Sequence, residues 1–189
     1  MEFSIEDIVE DLTDLDLAIL QLLHAGNDSP LKGRVAFQKE MFLIAGYIEK
    51  IREQAEFIPH TFGPYSEAAE TEIGNLRSLG LVKELGHEYH ITPNGIAALG
   101  EAKAAFTDEE VEAIQDFKQF LNDLTEPELL LFVYVSYPDF IEESAVYERV
   151  IKKRIPTAVS LYKKGKISLE KAAFLAGLPG EKFLDQARG

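Results

Sequence analysis

"FIPHTFGPYSEAAETEIGNLRSLGLVKELGHEYHITPNG", running from Phe57 to Gly95, is the stretch on which the reading of the fold turns. At its centre Gly63 and Pro64 stand between two aromatics, Phe62 and Tyr65, with Ser66 directly after them. Proline disfavours the α region for its predecessor, so Gly63 is extended or turned, and glycine takes positive φ at little cost. Pro64 fixes its own φ. Ser66 suits an N-cap, with Glu67 and Glu70 near the positive end of the following helix. Phe62, Gly63, Pro64, Tyr65 and Ser66 therefore read as a rigid elbow that leads from a short extended segment into a helix. Phe62 and Tyr65 are expected to anchor it to the core.

Beyond the elbow, Ala69, Ile73 and Leu76 recur at helical spacing, and Gly80 ends the helix. "LVKEL" and "EYHIT" read as two short strands joined around Gly86-His87, a hairpin signal. Thr92-Pro93 then opens a helix through "NGIAALGEAKAAF". Upstream, Leu15, Ile19, Leu22 and Leu23 mark a helix that stops at Ala25-Gly26-Asn27. A second helix is expected from about Arg34 to Lys50, with Phe37, Met41, Ile44, Ala45 and Ile48 on one face. Helix, helix, elbow, helix and hairpin form the order of a winged helix-turn-helix.

Downstream, "TDEE" at Thr107 and "TEPE" at Thr125 fit the capping-box pattern. The first leads into Val111, Ile114, Phe117 and Leu121. The second leads into "LLLFVYVSY" from Leu129, whose near-uniform apolarity demands burial inside the chain or against a second copy, and a homodimer is expected on that ground. In the tail, Ser168 caps "LEKAAFLA", Gly177 turns the chain, and "GEKFLDQAR" makes a further helix. Ala173 and Gly177 lie four apart among Ala172, Ala176, Leu178 and Phe183, the spacing of a helix-turn-helix. The expected architecture is mostly α with a small β-hairpin: a winged-helix-like domain over 1–105, a helical connector over 106–142, and a basic helix-turn-helix module over 143–189.

Two resemblances attach to these segments. "LYKKGKISLEKAAFLAGLPGEKFL", about Leu161 to Leu184, resembles the C-terminal part of a family of small, uncharacterised, antitoxin-like prokaryotic proteins. "FQKEMFLIAGYIEK" and "FGPYSEAAETEIGNLRSLGLV", within about Phe37 to Val82, resemble a widespread group of archaeal, bacterial and phage-associated winged-helix proteins that includes antitoxins. The shared features there are the Gln-Lys pair and the Gly-Pro-Tyr-Ser elbow. The resemblance implies fold more firmly than function, and neither family supplies a catalytic residue to carry over.

With 189 residues and a hydrophobic share of 46%, the chain has enough apolar content for a real core. It has no cysteine, which excludes disulfides, thiolate metal sites and cysteine nucleophiles. No apolar run reaches the roughly 18 residues of a membrane span, and the acidic, amphipathic "MEFSIEDIVEDL" is unlike a leader peptide, so a cytoplasmic prokaryotic protein is expected. The net charge of −14 is uneven. Up to Glu142 there are 9 Lys+Arg against 28 Asp+Glu, and from Glu143 onward 10 against 5. An acidic body repels DNA, whereas a basic tail can approach phosphates.

The residues expected to meet DNA are Lys163, Lys164, Lys166, Lys171, Lys182 and Arg188 in the tail, with Arg77, Lys83 and His87 on the elbow helix and hairpin. Against this, the elbow helix holds Glu67, Glu70 and Glu72 beside its one cation, Arg77. His87 and His90 lack a third ligand nearby and read as a solvated hairpin, so no metal or cofactor is expected. His24 reads as a helix-end charge and His60 as packing beside the elbow. No phosphate-binding loop, nucleophile elbow or dinucleotide fingerprint is present, and no enzyme is expected. The leading expectation is a DNA-binding regulator, antitoxin-like or transcriptional. The alternative is an adaptor that binds a toxin or protease and never meets DNA.

Overall fold

The computed structural model describes residues 4–102 and 105–189, which are mostly helical with one two-stranded antiparallel sheet. The chain divides into two compact units, one of Met1–Phe57 with Ser66–Asn122, the other of Ile58–Tyr65 with Asp123–Gly189.

In the first unit, α1 (Ile5–Glu10), α2 (Asp14–Asp28), α3 (Gly33–Tyr47) and α4 (Glu49–Ala55) precede α5 (Glu67–Ser78). Strands β1 (Val82–Leu85) and β2 (Glu88–Ile91), then α6 (Pro93–Glu101) and α7 (Asp108–Leu121), complete it. Helix α2 is the centre. Its Leu15, Ala18, Ile19, Leu20, Leu22 and Leu23 are buried, and it packs on α4, α5, α6, α7 and β2. A helix covered on so many sides needs apolar residues around most of its circumference, as this one has. It stops where glycine allows, with Ala25 to Asn27 leaving helical dihedrals and Gly26 at φ +65°.

The single helix expected to Lys50 is two. Ile48, at φ −105° and ψ 108°, breaks it after Tyr47, and the bend lets Ile48, Ile51 and Ala55 all enter the core. Helix α5 begins at the Ser66 cap and buries Ala69, Ile73 and Leu76. In the hairpin Val82 pairs with Ile91 and Leu85 with Glu88, around a two-residue loop with Gly86 at φ +63°. Helix α6 ends at Glu101, short of the run to Phe106 expected from its apolar pattern; Lys103 and Ala104 in that run lie outside the described residues. Phe106 instead turns inward beneath the Lys50 ammonium, 4.4 Å from its ring centroid. Thr107 opens α7 with a complete capping box to Glu110.

The segment 106–142, expected as one connector, is shared between the units. Helix α7 turns Ile114 and Leu121 inward and packs on α2 and α3, whereas α8 (Glu126–Ser136) belongs to the second unit. There α8 is followed by a 3-10 turn (Pro138–Phe140), α9 (Tyr147–Lys152), α10 (Arg154–Lys163), α11 (Leu169–Ala176) and α12 (Gly180–Arg188). Leu129, Leu130, Leu131, Val133 and Tyr134 of α8 are buried among elements of this unit, with α9, α10 and α11 packed on the helix. The apolar run thus finds its cover within one chain and does not itself call for a second copy. Gly177, at φ +67°, turns α11 toward α12, and Ala172, Ala173, Ala176 and Phe183 are buried at their packing with α10. No helix among the described residues is long and apolar enough to cross a membrane.

Candidate functional site

The elbow is a small closed turn. Ile58 and Tyr65 exchange both backbone hydrogen bonds at 2.9 Å, and the Gly63 N–H donates to the His60 carbonyl at 2.9 Å. Gly63 has φ +81°, and a Cβ there would stand 2.6 Å from Cε1 of Tyr134. The glycine therefore serves twice, for its backbone angle and for the aromatic ring lying against it. The Tyr134 hydroxyl pairs with Ser144 Oγ at 2.8 Å, and Ser144 Oγ donates to the Thr61 carbonyl at 3.3 Å, closing the ring of contacts.

Phe62 does not anchor the turn. It is 38% exposed at the turn tip, while Tyr65 is half-buried and stacks on His60 at 4.7 Å between centroids. The burial falls on Gly63 and Pro64 instead, because the turn folds its backbone, not its aromatic tip, against the unit.

Ser66, across the unit boundary, is fully buried in the first unit. Its Oγ accepts from the Ala69 N–H at 2.9 Å and donates to the Ala55 carbonyl. Gln38 of α3 grips the same residue: its Oε1 accepts from the Ser66 N–H at 2.8 Å and its Nε2 donates to the Ser66 carbonyl at 3.0 Å. A side-chain amide here replaces a neighbouring strand. Sequence reading missed this contact, although Gln38 and Ser66 both lie in the motifs that carry the winged-helix resemblance.

The residues expected to meet DNA divide into engaged and exposed. Lys164 Nζ lies 2.7 Å from Glu128 Oε2 and donates to the Asp123 carbonyl at 3.3 Å. Lys166 pairs with Asp123 at 2.8 Å and is only 17% exposed. Lys171 donates to Ser136 Oγ at 2.8 Å and sits over the rings of Phe132 and Phe174, where burial pulls its pKa below the ordinary lysine value. Arg77 pairs with Glu84 at 2.8 Å. Lys163, Lys182, Arg188, Lys83 and His87 are exposed. On α12 the cations Lys182 and Arg188 share the helix with Glu181 and Asp185. Arg154, which the sequence reading did not single out, caps α11 by donating to the carbonyls of Leu175 at 2.8 Å and Phe174 at 3.2 Å.

Charge follows the units differently from the order of the chain. The second unit holds ten Lys+Arg and ten Asp+Glu and is neutral, because Asp123, Glu126, Glu128, Asp139 and Glu142 fold with the tail. The first holds nine cations against twenty-three carboxylates and carries the full −14.

Comparison with known protein families, with curated proteins and with solved structures finds no match for this chain. The chain must be read from its own chemistry.

The buried Asp, Glu and Lys side chains among the described residues are Asp16 on α2, Lys39 and Glu40 on α3, Lys118 on α7 and Glu128 on α8. On α3 of the first unit, Gln38, Lys39 and Glu40 are each only 2% exposed. Burial pushes the Glu40 carboxyl up to about 7, against the pull of Lys118 and Lys32. Burial likewise pulls Lys118 down to about 8, opposed by Glu40. Neither Glu40 Oε2 nor Lys118 Nζ has a hydrogen-bond partner. In the second unit Glu128 is 3% exposed. Burial disfavours its charge, but hydrogen bonds from Lys164, Ser160 and Thr125 outweigh that and hold its pKa below the ordinary value. Among the described residues no group of three or more His, Asp or Glu side chains is arranged to hold a metal ion.

Proposed function

We propose that this chain is a cytoplasmic, non-enzymatic regulator of the antitoxin-like kind that works by holding a protein partner, without contacting DNA. The observation that carries this reading is the internal commitment of the tail cations: Lys164 to Glu128, Lys166 to Asp123, and Lys171 to Ser136 and two aromatic rings. A lysine held this way must leave its partner before it can neutralise a phosphate, and its carboxylate then faces the DNA. In this reading the first unit is a winged helix-turn-helix used as a protein-binding platform. Its α5 carries Glu67, Glu70 and Glu72, and the unit has no excess of cations to set against them.

The second reading is a DNA-binding regulator. It is favoured by the turn from α11 to α12 at Gly177, which suits the helix-turn-helix expected there, and by the exposure of Lys163, Lys182 and Arg188. The equal number of carboxylates on α12 weighs against it. The two readings part on what the native chain retains. Crosslinking in the source cells, followed by nuclease treatment and mass spectrometry, is expected to leave a stoichiometric protein partner on the chain. Recovery of crosslinked DNA alone would overturn the protein-binding reading.

A further inference from the structure

The first unit has an open groove of about 420 Å³ bounded by α1, the start of α2 and the later turns of α5. Its lining joins two chemistries. Ile8, Leu12 and Leu79 are apolar, and Leu79 is 45% exposed, a high value for a leucine beside a packed core. Asp7, Asp11, Asp16 and Glu72 supply carboxylates from three separate elements. None of these four forms an ion pair with a described cation, a condition they share with most of the unit's twenty-three carboxylates, of which Glu49, Glu70, Asp14 and Glu84 pair with an Arg or Lys. Asp7 and Asp16 cap their own helices at Ser4 and Thr13, Glu72 accepts from Asn75, and Asp16 and Glu72 meet each other carboxyl to carboxyl, a contact that favours a proton on Asp16.

Asp16 adds an independent sign. It is 5% exposed and has no cation, and burial raises its pKa, with repulsion from Glu72 acting in the same direction. A buried carboxyl beside a second one, as Asp16 is beside Glu72, is costly to ionise in the free chain, and a cation brought in from outside relieves that cost. An apolar side chain would at the same time cover Leu79.

We propose that this groove binds a basic amphipathic segment of a partner protein, with its apolar residues against Ile8, Leu12 and Leu79 and its Lys or Arg side chains on Asp11, Asp16 and Glu72. Charge complementarity selects this occupant: the unit carries −14, and the groove gathers unpaired carboxylates around apolar side chains. A second copy of this chain is a poor match, because its other unit is neutral and α12 balances two cations with two carboxylates. The inference rests on the protein-partner reading above and names the partner's chemistry.

The test uses the full chain and fluorescein-labelled helical peptides of about 16 residues made from Leu, Ala and Arg, read by fluorescence anisotropy. One peptide keeps Leu on a single face, one has the same composition with the face scrambled, and one replaces Arg by Gln. The facial basic peptide is expected to bind at least about tenfold more tightly than either of the others. Leu79→Ser, and separately the pair Asp11→Asn with Glu72→Gln, should each weaken it about tenfold, while an equal loss of charge at the exposed Glu109→Gln with Glu112→Gln on α7 changes it less than about twofold. Unchanged circular dichroism and melting temperature establish that the variants are folded. Equal binding of the scrambled peptide, equal binding of the Gln peptide, equal weakening by the α7 control, or no peptide binding would each overturn the groove. If a native protein partner crosslinks but the groove variants hold it undiminished, the groove fails and the protein-partner reading stands; if only DNA crosslinks, that reading fails first.

Discussion

Two glutamates, Glu40 in the first unit and Glu128 in the second, are equally hidden from solvent, at 2% and 3% exposed, and their pKa values move in opposite directions. Glu128 receives hydrogen bonds from Ser160 at 2.7 Å, Lys164 at 2.7 Å and the Thr125 N–H at 2.8 Å, and its pKa falls. Glu40 has an oxygen with no donor, and its pKa rises to about 7. Depth is the same. What differs is the number of donors aimed at the carboxylate, which decides whether a buried charge is tolerated. The second unit sets Lys164 and Lys166 on its own carboxylates, whereas the first leaves a Glu40 oxygen without a donor in its core and the carboxylates along its groove without a cation.

The largest expected effect comes from a related contrast between two glycines with positive φ. Gly63, at +81°, faces the Tyr134 ring, whereas Gly80, at +73°, has no neighbouring atom within 4 Å of the position a Cβ would take. Gly63→Val should destabilise the fold by about 3 kcal/mol in urea denaturation, since strain and collision add, and Gly80→Ala by about 1 kcal/mol from the backbone angle alone. Equal costs at the two sites would mean that the Tyr134 contact is unimportant.

Next in size is Glu128→Gln, which removes a charged acceptor from three donors and should cost about 2 kcal/mol at pH 7. Because the folded pKa of Glu128 is depressed, this contribution is fully present above its unfolded value near 4.5 and disappears as pH falls through the lower folded value. The gap between wild type and variant should therefore close in acid. A gap that stays constant from pH 7 down to pH 3 would rule out the charge as its source.

Glu40→Gln should have the smallest effect, within about 1 kcal/mol at pH 7, because a carboxyl raised to about 7 is already about half neutral there and so gives Lys118 only part of a counter-charge. Its pH dependence has the opposite sign. A folded pKa raised to about 7 means that the folded state holds a proton which the unfolded state has released, so wild type loses stability relative to the variant as pH rises from about 4.5 to 7. Denaturation midpoints at pH 4, 5.5 and 7 for both pairs of proteins would display the two slopes. Parallel slopes would break the comparison.

What could be read from the sequence was local. The caps at Ser66, Thr107 and Ser168, the stops at Gly26, Gly80 and Gly177, and the hairpin around Gly86 depend on residues within a few positions of one another, and all appear in the structure. What was not legible concerns partners far apart in the chain. Gln38 and Ser66 are separated by 28 positions, Lys164 and Glu128 by 36, and Lys166 and Asp123 by 43. A run of lysines gives no sign in sequence of the carboxylates that fold beside it. Phe62 was misjudged because an aromatic beside a turn can point either way, and here it is the neighbouring Gly63 that lies against the Tyr134 ring. The groove carboxylates, drawn from α1, α2 and α5, were invisible as a group.

The central claim is that Lys164, Lys166 and Lys171 are committed within their own unit, whose ten cations are matched by ten carboxylates, so that the tail presents no net positive charge to DNA. Its most direct test is the anisotropy of labelled duplex DNA, both random sequence and the segment upstream of the chain's own coding region, titrated with the full chain at several salt concentrations. The account predicts no salt-sensitive binding at low ionic strength, and no change when Lys163, Lys164 and Lys166 are replaced together by Gln. Binding that weakens steeply with salt, with a slope that the triple replacement flattens by up to about three units, would contradict it.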